Sequence, residues 1–272
     1  MRKPHAVRAL AIGGVLLAKL GVPPALPAHD FWLEPSNLHP APGETVSVVL
    51  EVGQKFAGEP LERRPFLIER FAWIDARNER PIPGEEDASP AGAIAAGAPG
   101  AAWIVYQSHF SPVTLAPDKF ASYLHEEGLD AILALRQARG EAGEPALEGF
   151  ARSAKAIVCV GGKGAPAPPR AIGTAIELVP GADLCGARAR ERVPFSLAFH
   201  GQPLAGALVV AFRKEDPEHR LEARSDRAGR LTLRFDEPGL WLVKAVHMVE
   251  APAGVREHWR SFWASVVFEL RK

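Results

Sequence analysis

The sequence predicts a mainly β protein: two β-sandwich domains of immunoglobulin-like or transthyretin-like type, with a short helical insertion in the first. Three observations point there. Glycine and proline contribute 25 residues each to a chain of 272, above a joint ordinary usage of roughly 12%, which favours many short elements joined by turns. Apolar and polar residues alternate with period two along several stretches. Turn signals separate those stretches at the spacing of short strands. At 47% apolar and 24% charged the chain is an ordinary globular one, which excludes disorder, collagen and coiled coil. Its 32 basic residues cancel 32 acidic ones, so no broad positive field attracts nucleic acid or an anionic membrane.

Met1–Ala28 opens with Arg2, Lys3 and Arg8 and continues through an apolar run, Ala9 to Ala18, before Lys19 and Leu20. It reads as a signal peptide: the apolar run is shorter than the about 20 residues a spanning helix needs, and Pro23, Pro24 and Pro27 lead to a small residue, Ala28. Cleavage after Ala28 removes four basic residues and no acid, leaving 28 basic against 32 acidic. The expectation is a mature chain without a membrane span, periplasmic or secreted. Cys159 and Cys185 are the only cysteines; in an oxidising space they pair, in a reducing one they are two buried thiols.

In the first domain, residues 29–165, Val46, Val48, Leu50 and Val52 share one face of a strand over Thr45–Val52, after the turn Pro40–Gly43. Phe66–Ala76 and Ala102–Phe110 read as further strands, and Pro81–Gly100 as the loop between them. The period then changes. Phe120, Leu124, Ile132 and Leu135 suit short helices broken near Gly128, and Glu148–Ala156 reads as another, placing the insertion at about 117–156. Gly161–Pro169 holds three glycines and three prolines, a linker composition.

In the second domain, residues 166–272, Phe195, Leu197 and Phe199 are expected to pair through the turn His200–Pro203 with a strand carrying Leu208, Val210 and Phe212. Asp226–Gly229 turns into Leu231, Leu233 and Phe235, with the Asp226 side chain capping the turn backbone and Gly229 supplying a positive φ. Glu237–Gly239 leads into Trp241–Met248, and a last strand carries Phe262 to Leu270 on alternate positions.

No nucleophile elbow, phosphate-binding glycine loop, paired-cysteine zinc motif or HExxH helix occurs in the sequence, which weighs against hydrolase and nucleotide chemistry. Histidine carries the remaining signal. Cleavage after Ala28 would make His29 the first residue, and its α-amine and ring Nδ1 can then close a chelate on one metal ion. A further imidazole would give a three-nitrogen site suited to Cu(II), and nitrogen donors suit Ni(II) as well. The amine proton must leave first. Asp30 is a candidate oxygen donor or orienting group. His247 is the internal partner considered first, on the strand face of Trp241, Val243 and Ala245, where a core imidazole bonded to a carbonyl is the plainer alternative. His109, beside Trp103 and Tyr106, is a candidate for a site between domains. His125, next to Glu126 and Glu127, reads as a solvated helix face, and His200 and His219 as turn residues. Trp259 and Trp263 are candidates for an exposed aromatic patch.

The segment Phe199–Ala207, with Ser225–Arg230 and Pro238–Trp241, resembles the transthyretin-like or carboxypeptidase-regulatory-like sandwich, a fold that hosts many functions. The opening His29-Asp30-Phe31-Trp32-Leu33-Glu34-Pro35, the Pro42–Glu44 turn, Val52–Glu59, Lys119–Leu124 with Glu126–Leu129, and Ala245–Met248 through to Phe268 resemble the exported domain-of-unknown-function family 4198. That family has carried the label of a nickel or cobalt uptake substrate-specific component. The resemblance implies metal handling, with His29 and His247 at matching positions and an inner-membrane metal transporter component as a partner.

The sequence thus leads to a non-enzymatic, exported metal-binding accessory protein for nickel, cobalt or copper, with His29, His247 and Asp30 as its site and no organic cofactor. Two other classes stand beside it. One is a β-sandwich module recognising a protein or glycan without metal; the other is a copper oxidase using an N-terminal histidine brace.

Overall fold

The computed structural model describes residues 29–162 and 171–272; the expected signal peptide, residues 1–28, lies outside them. In chain order the elements are β1 (Asp30–Pro35), β2 (Thr45–Gln54), β3 (Ala57–Leu61), β4 (Ile68–Ile74), β5 (Glu79–Pro81), β6 (Gly92–Ala95), β7 (Gly100–Ser108) and β8 (Ser111–Leu115). The helices α1 (Pro117–Glu126) and α2 (Asp130–Ala138) follow, then β9 (Ala146–Val160). Beyond residue 170 come β10 (Ile176–Pro180), β11 (Arg192–Phe199), β12 (Gln202–Pro203), β13 (Leu208–Arg213), β14 (Asp216–Arg224), β15 (Arg230–Arg234), β16 (Gly239–Glu250) and β17 (Trp259–Leu270).

One nine-stranded sheet forms the middle of the molecule. Its order is β14-β13-β16-β17-β9-β7-β4-β5, with β8 also pairing β9. The seam at its centre is parallel: Trp259 of β17 lies opposite Glu148 of β9, and Val267 opposite Ala156. Strands from both sides of residues 163–170 therefore share one hydrogen-bonded sheet. A four-stranded sheet of β1, β2, β3 and β6 covers part of one face, and a sheet of β10, β11, β12 and β15 covers the other. The chain is mainly β, built as two sandwiches that share their middle sheet.

Each face of that sheet has its own core. Trp32, Leu33, Val46, Val48 and Leu50 pack with Trp73, Ile104, Ala156, Val158 and Leu242 on the first. Phe195, Leu197, Leu231, Leu233 and Phe235 pack with Trp103, Ile157, Trp241, Val243 and Phe268 on the second. The alternation expected for Val46 to Val52 and for Phe195 and Leu197 therefore places those side chains inside. The helical pair closes a third cluster over the first face, where Phe120, Tyr123 and Leu124 meet Val246, Met248, Trp259 and Trp263. Pro117 opens α1 at its first turn, and Gly128, at φ +67°, ends it. A Cβ at Gly128 would lie 2.7 Å from Leu208 Cβ, so the turn also needs the missing side chain.

Four expectations are corrected. Glu148–Ala156 is not a helix but the body of β9; alanine, lysine and arginine favour a helix locally, yet Gly149, Ala151, Ser153, Ala154 and Ala156 let the strand lie closely packed between β17 and β7. The loop 81–100 contains β6, which pairs β2. The strand of Phe195–Phe199 does not pair with Leu208–Phe212: β12 is only two residues long, and the chain then crosses to the middle sheet, where β13 pairs β14 and β16. Trp259 and Trp263 are buried beneath the helices rather than exposed, because alternate positions of β17 face α1.

Cys159 and Cys185 form a disulfide, their Cα atoms 5.6 Å apart. It ties the end of β9 to the loop between β10 and β11, across the stretch 163–170.

Candidate functional site

Where β1 begins, the first face of the middle sheet becomes polar. Lys244 projects from β16 on that face, among Leu242, Val246 and Met248. Its Nζ donates to Asp30 Oδ1 at 2.5 Å and to Glu127 Oε1 at 2.6 Å. One lysine thus holds the first strand and the end of α1 to the sheet. All three groups are buried. Burial pushes Lys244 down, but the two carboxylates overcome it and raise its pKa well above the usual lysine range. Burial raises Glu127, partly opposed by Lys244 and reinforced by Asp30. The cluster holds two carboxylates for one ammonium.

A second polar group adjoins it. Tyr123 of α1 donates from its hydroxyl to Glu148 Oε1 at 3.1 Å, the Ser261 hydroxyl donates to the same oxygen, and Trp263 Nε1 donates to Ser261 Oγ at 2.9 Å. Tyr123 and Trp263 stack with centroids 5.6 Å apart. Glu148 Oε2 has no partner among the described residues. Burial raises Glu148 to about 7, against the opposing hydrogen bonds from Ser261 and Tyr123.

His29 immediately precedes β1 and is partly buried, and its Nδ1 is enclosed without a hydrogen-bond partner among the described residues. Buried ring nitrogens ordinarily find a partner, so this atom fits a donor waiting for one, and Nδ1 is the ring atom that closes a chelate with an amine on the same residue. Asp30 is taken by Lys244. His247 is not beside it: on β16, residues 244 and 247 point to opposite faces, and the His247 ring lies 4.6 Å from Phe199 on the second face. Burial lowers the His247 pKa, and His200 adds to the effect. The sheet separates the His247 ring from the Asp30 carboxylate.

The remaining histidines are dispersed. His39 bridges Glu269 and Arg271, His125 is exposed 3.3 Å from Asp130, and His109 is exposed just past β7 rather than facing an inner site. His258 Nδ1 accepts from the Leu147 amide. Among the described residues no group of three His, Cys, Asp or Glu side chains is gathered to hold a metal ion, and no helix is long and apolar enough to cross a membrane. Glu127 and Lys244 were missed from the sequence. The available signal was a lysine inside the apolar run Trp241–Met248, which must find an anion when the strand is buried.

A family model described as a domain of unknown function (DUF4198) matches residues 26–249. That description assigns no activity. No curated protein matches the chain significantly. Among solved structures, the D0-D1 domain of Intimin is similar at 10% identity and TM-score 0.22, covering 88% of this chain and 97% of that one. The D00-D0 domain of Intimin is similar at 10% identity and TM-score 0.20, covering 89% and 100%. Likeness at these scores bears on neither fold nor function. The match over residues 26–249 takes in most of the 272, and the chain belongs to the DUF4198 family.

Proposed function

We propose that the mature protein, beginning at His29, is an exported, non-enzymatic metal-binding accessory for nickel, cobalt or copper, acting beside an inner-membrane metal transporter component. The observation that carries this reading is the enclosed, unpartnered Nδ1 of His29. Cleavage after Ala28 would place a free amine on the same residue, and the two nitrogens suit Cu(II) or Ni(II). Lys244 contributes by fixing Asp30, and so the direction in which the chain start leaves the sheet. The Cys159–Cys185 disulfide suits the oxidising space to which the leader would deliver the chain. His247 belongs in this reading only as a core imidazole.

The test uses protein processed to begin at His29, titrated with Ni(II) and Cu(II) by calorimetry. His29→Ala, and separately acetylation of the His29 amine, should each weaken binding by at least about a hundredfold, since either breaks the chelate. Unchanged affinity in either protein refutes the site. A second reading, a sandwich that recognises a protein or glycan at a strand edge, is favoured by β14: it is a terminal strand of the middle sheet, and most of its side chains are exposed. It requires full partner binding after chelator treatment.

A further inference from the structure

Arg152 is a partly buried cation with no anion among the described residues. It projects from β9 onto the first face of the middle sheet, its guanidinium carbon 4.7 Å from the Phe31 ring centroid and 5.0 Å from that of Phe150. Its backbone amide donates to Ser108 Oγ at 2.9 Å. Its side-chain nitrogens meet no oxygen acceptor among the described residues, and the residue as a whole is only partly buried.

Several other inward-reaching cations of the fold are matched, although the Nε of Arg260, whose guanidinium carbon lies 4.4 Å from the Phe110 ring centroid, has no partner among the described residues. Lys155 has Glu177 at 2.7 Å, and Lys244 has two carboxylates. Arg136 donates to the Glu141 and Glu144 carbonyls, and Arg63 to those of Ile82 and Ala91. Aromatic faces compensate a cation only weakly and accept none of its in-plane N–H groups. Burial accordingly lowers the Arg152 pKa to about 10, only partly opposed by Tyr106. Tyr106 packs 5.0 Å from Phe31 and 5.8 Å from Phe71, and its hydroxyl likewise has no hydrogen-bond partner among the described residues.

We propose that Arg152 and Tyr106 bind the carboxylate of a small monoanionic organic ligand. A guanidinium with both N–H edges unused presents the planar fork that a carboxylate fills with two parallel hydrogen bonds. The tyrosine hydroxyl adds a donor. A single cation between apolar rings neutralises one negative charge, so a doubly charged phosphate or sulfate would remain partly uncompensated. A free metal cation would be repelled. The inference is therefore independent of the chelate at His29 and is tested without metal.

The test is calorimetric titration of the mature protein, in chelator-treated buffer, with benzoate as probe. Benzamide and inorganic phosphate serve as comparators. Benzoate should bind saturably, at one site, more tightly than either. Arg152→Gln should weaken it by at least about tenfold, while Arg152→Lys, which keeps charge but loses the fork, should fall between. Because Arg152→Gln can perturb folding, the wild-type protein supplies a second readout: benzoate should shift the Arg152 Nε–Hε NMR signal with the same dissociation constant. Absence of saturable binding, equal binding of benzamide, tighter binding of phosphate, unchanged affinity in a folded Arg152→Gln protein, or a stationary Nε–Hε signal each overturns the proposal.

Discussion

The two faces of the middle sheet treat buried charge differently. On the second face Lys155 of β9 meets Glu177 of β10 at 2.7 Å, and Glu177 also accepts the Ile172 and Gly173 amides. Burial lowers Lys155, and Glu177 partly restores it. In that pair one cation faces one anion, whose two oxygens each accept an amide, although Arg260 over the Phe110 ring on the same face keeps an Nε without a partner among the described residues. On the first face Lys244 serves two carboxylates, and among the described residues Glu148 keeps an unpartnered oxygen, His29 an unpartnered nitrogen, and Arg152 no anion. A balanced pair needs nothing outside the chain. Unbalanced groups gathered around the start of β1 mark the region where an outside ion or ligand can complete the set, because uncompensated burial of charge is costly.

That comparison can be broken by removing cations. Lys244→Met should have the largest effect, about 5 kcal/mol less stable in denaturant unfolding at pH 7, because it strands two buried carboxylates. The loss should shrink in acid as Glu127, whose pKa burial raises, takes up a proton. Lys155→Met should cost less, about 3 kcal/mol, since the stranded Glu177 keeps two amide donors. Equal losses would show that the two faces do not differ in charge balance. A gentler test is pH. The folded pKa of Glu148 lies near 7 against 4.5 for an ordinary glutamate, so the folded state holds that proton more tightly than the unfolded chain does. Stability from this group is therefore fully present below about pH 4.5 and falls as pH rises to about 7, by at most about 3 kcal/mol. Glu148→Gln should remove that slope and be the more stable protein at pH 8; parallel pH profiles for the two proteins would refute the assignment.

Local pattern made much of the strand framework legible. Val46, Val48, Leu50 and Val52 are buried as period two requires, and Asp226 caps its turn by accepting the Ala228 and Arg230 amides at 2.8 and 2.9 Å. These features depend on neighbours within a few residues. Glu148–Ala156 went the other way, because its strand conformation is imposed by β17, more than a hundred positions along the chain. The site shows the same division. His29 stood out through chemistry a single residue carries, whereas the Asp30–Lys244–Glu127 cluster joins residues 214 and 117 positions apart, and Glu127 looked like its exposed neighbours His125 and Glu126 on α1.

The amino-acid order alone determined the β class, several of the turns, the two helices α1 and α2 and the inward positions of strands such as Val46 to Val52, since these follow from side-chain period and backbone preference over short spans. Only the tertiary structure decided that both sandwiches share a sheet, that the cysteines meet, that His247 and the Asp30 carboxylate lie on opposite faces of that sheet, and which buried charges are left unmatched. Pairing between strands and compensation between charges are set by distances in space, and separation along the chain does not encode them.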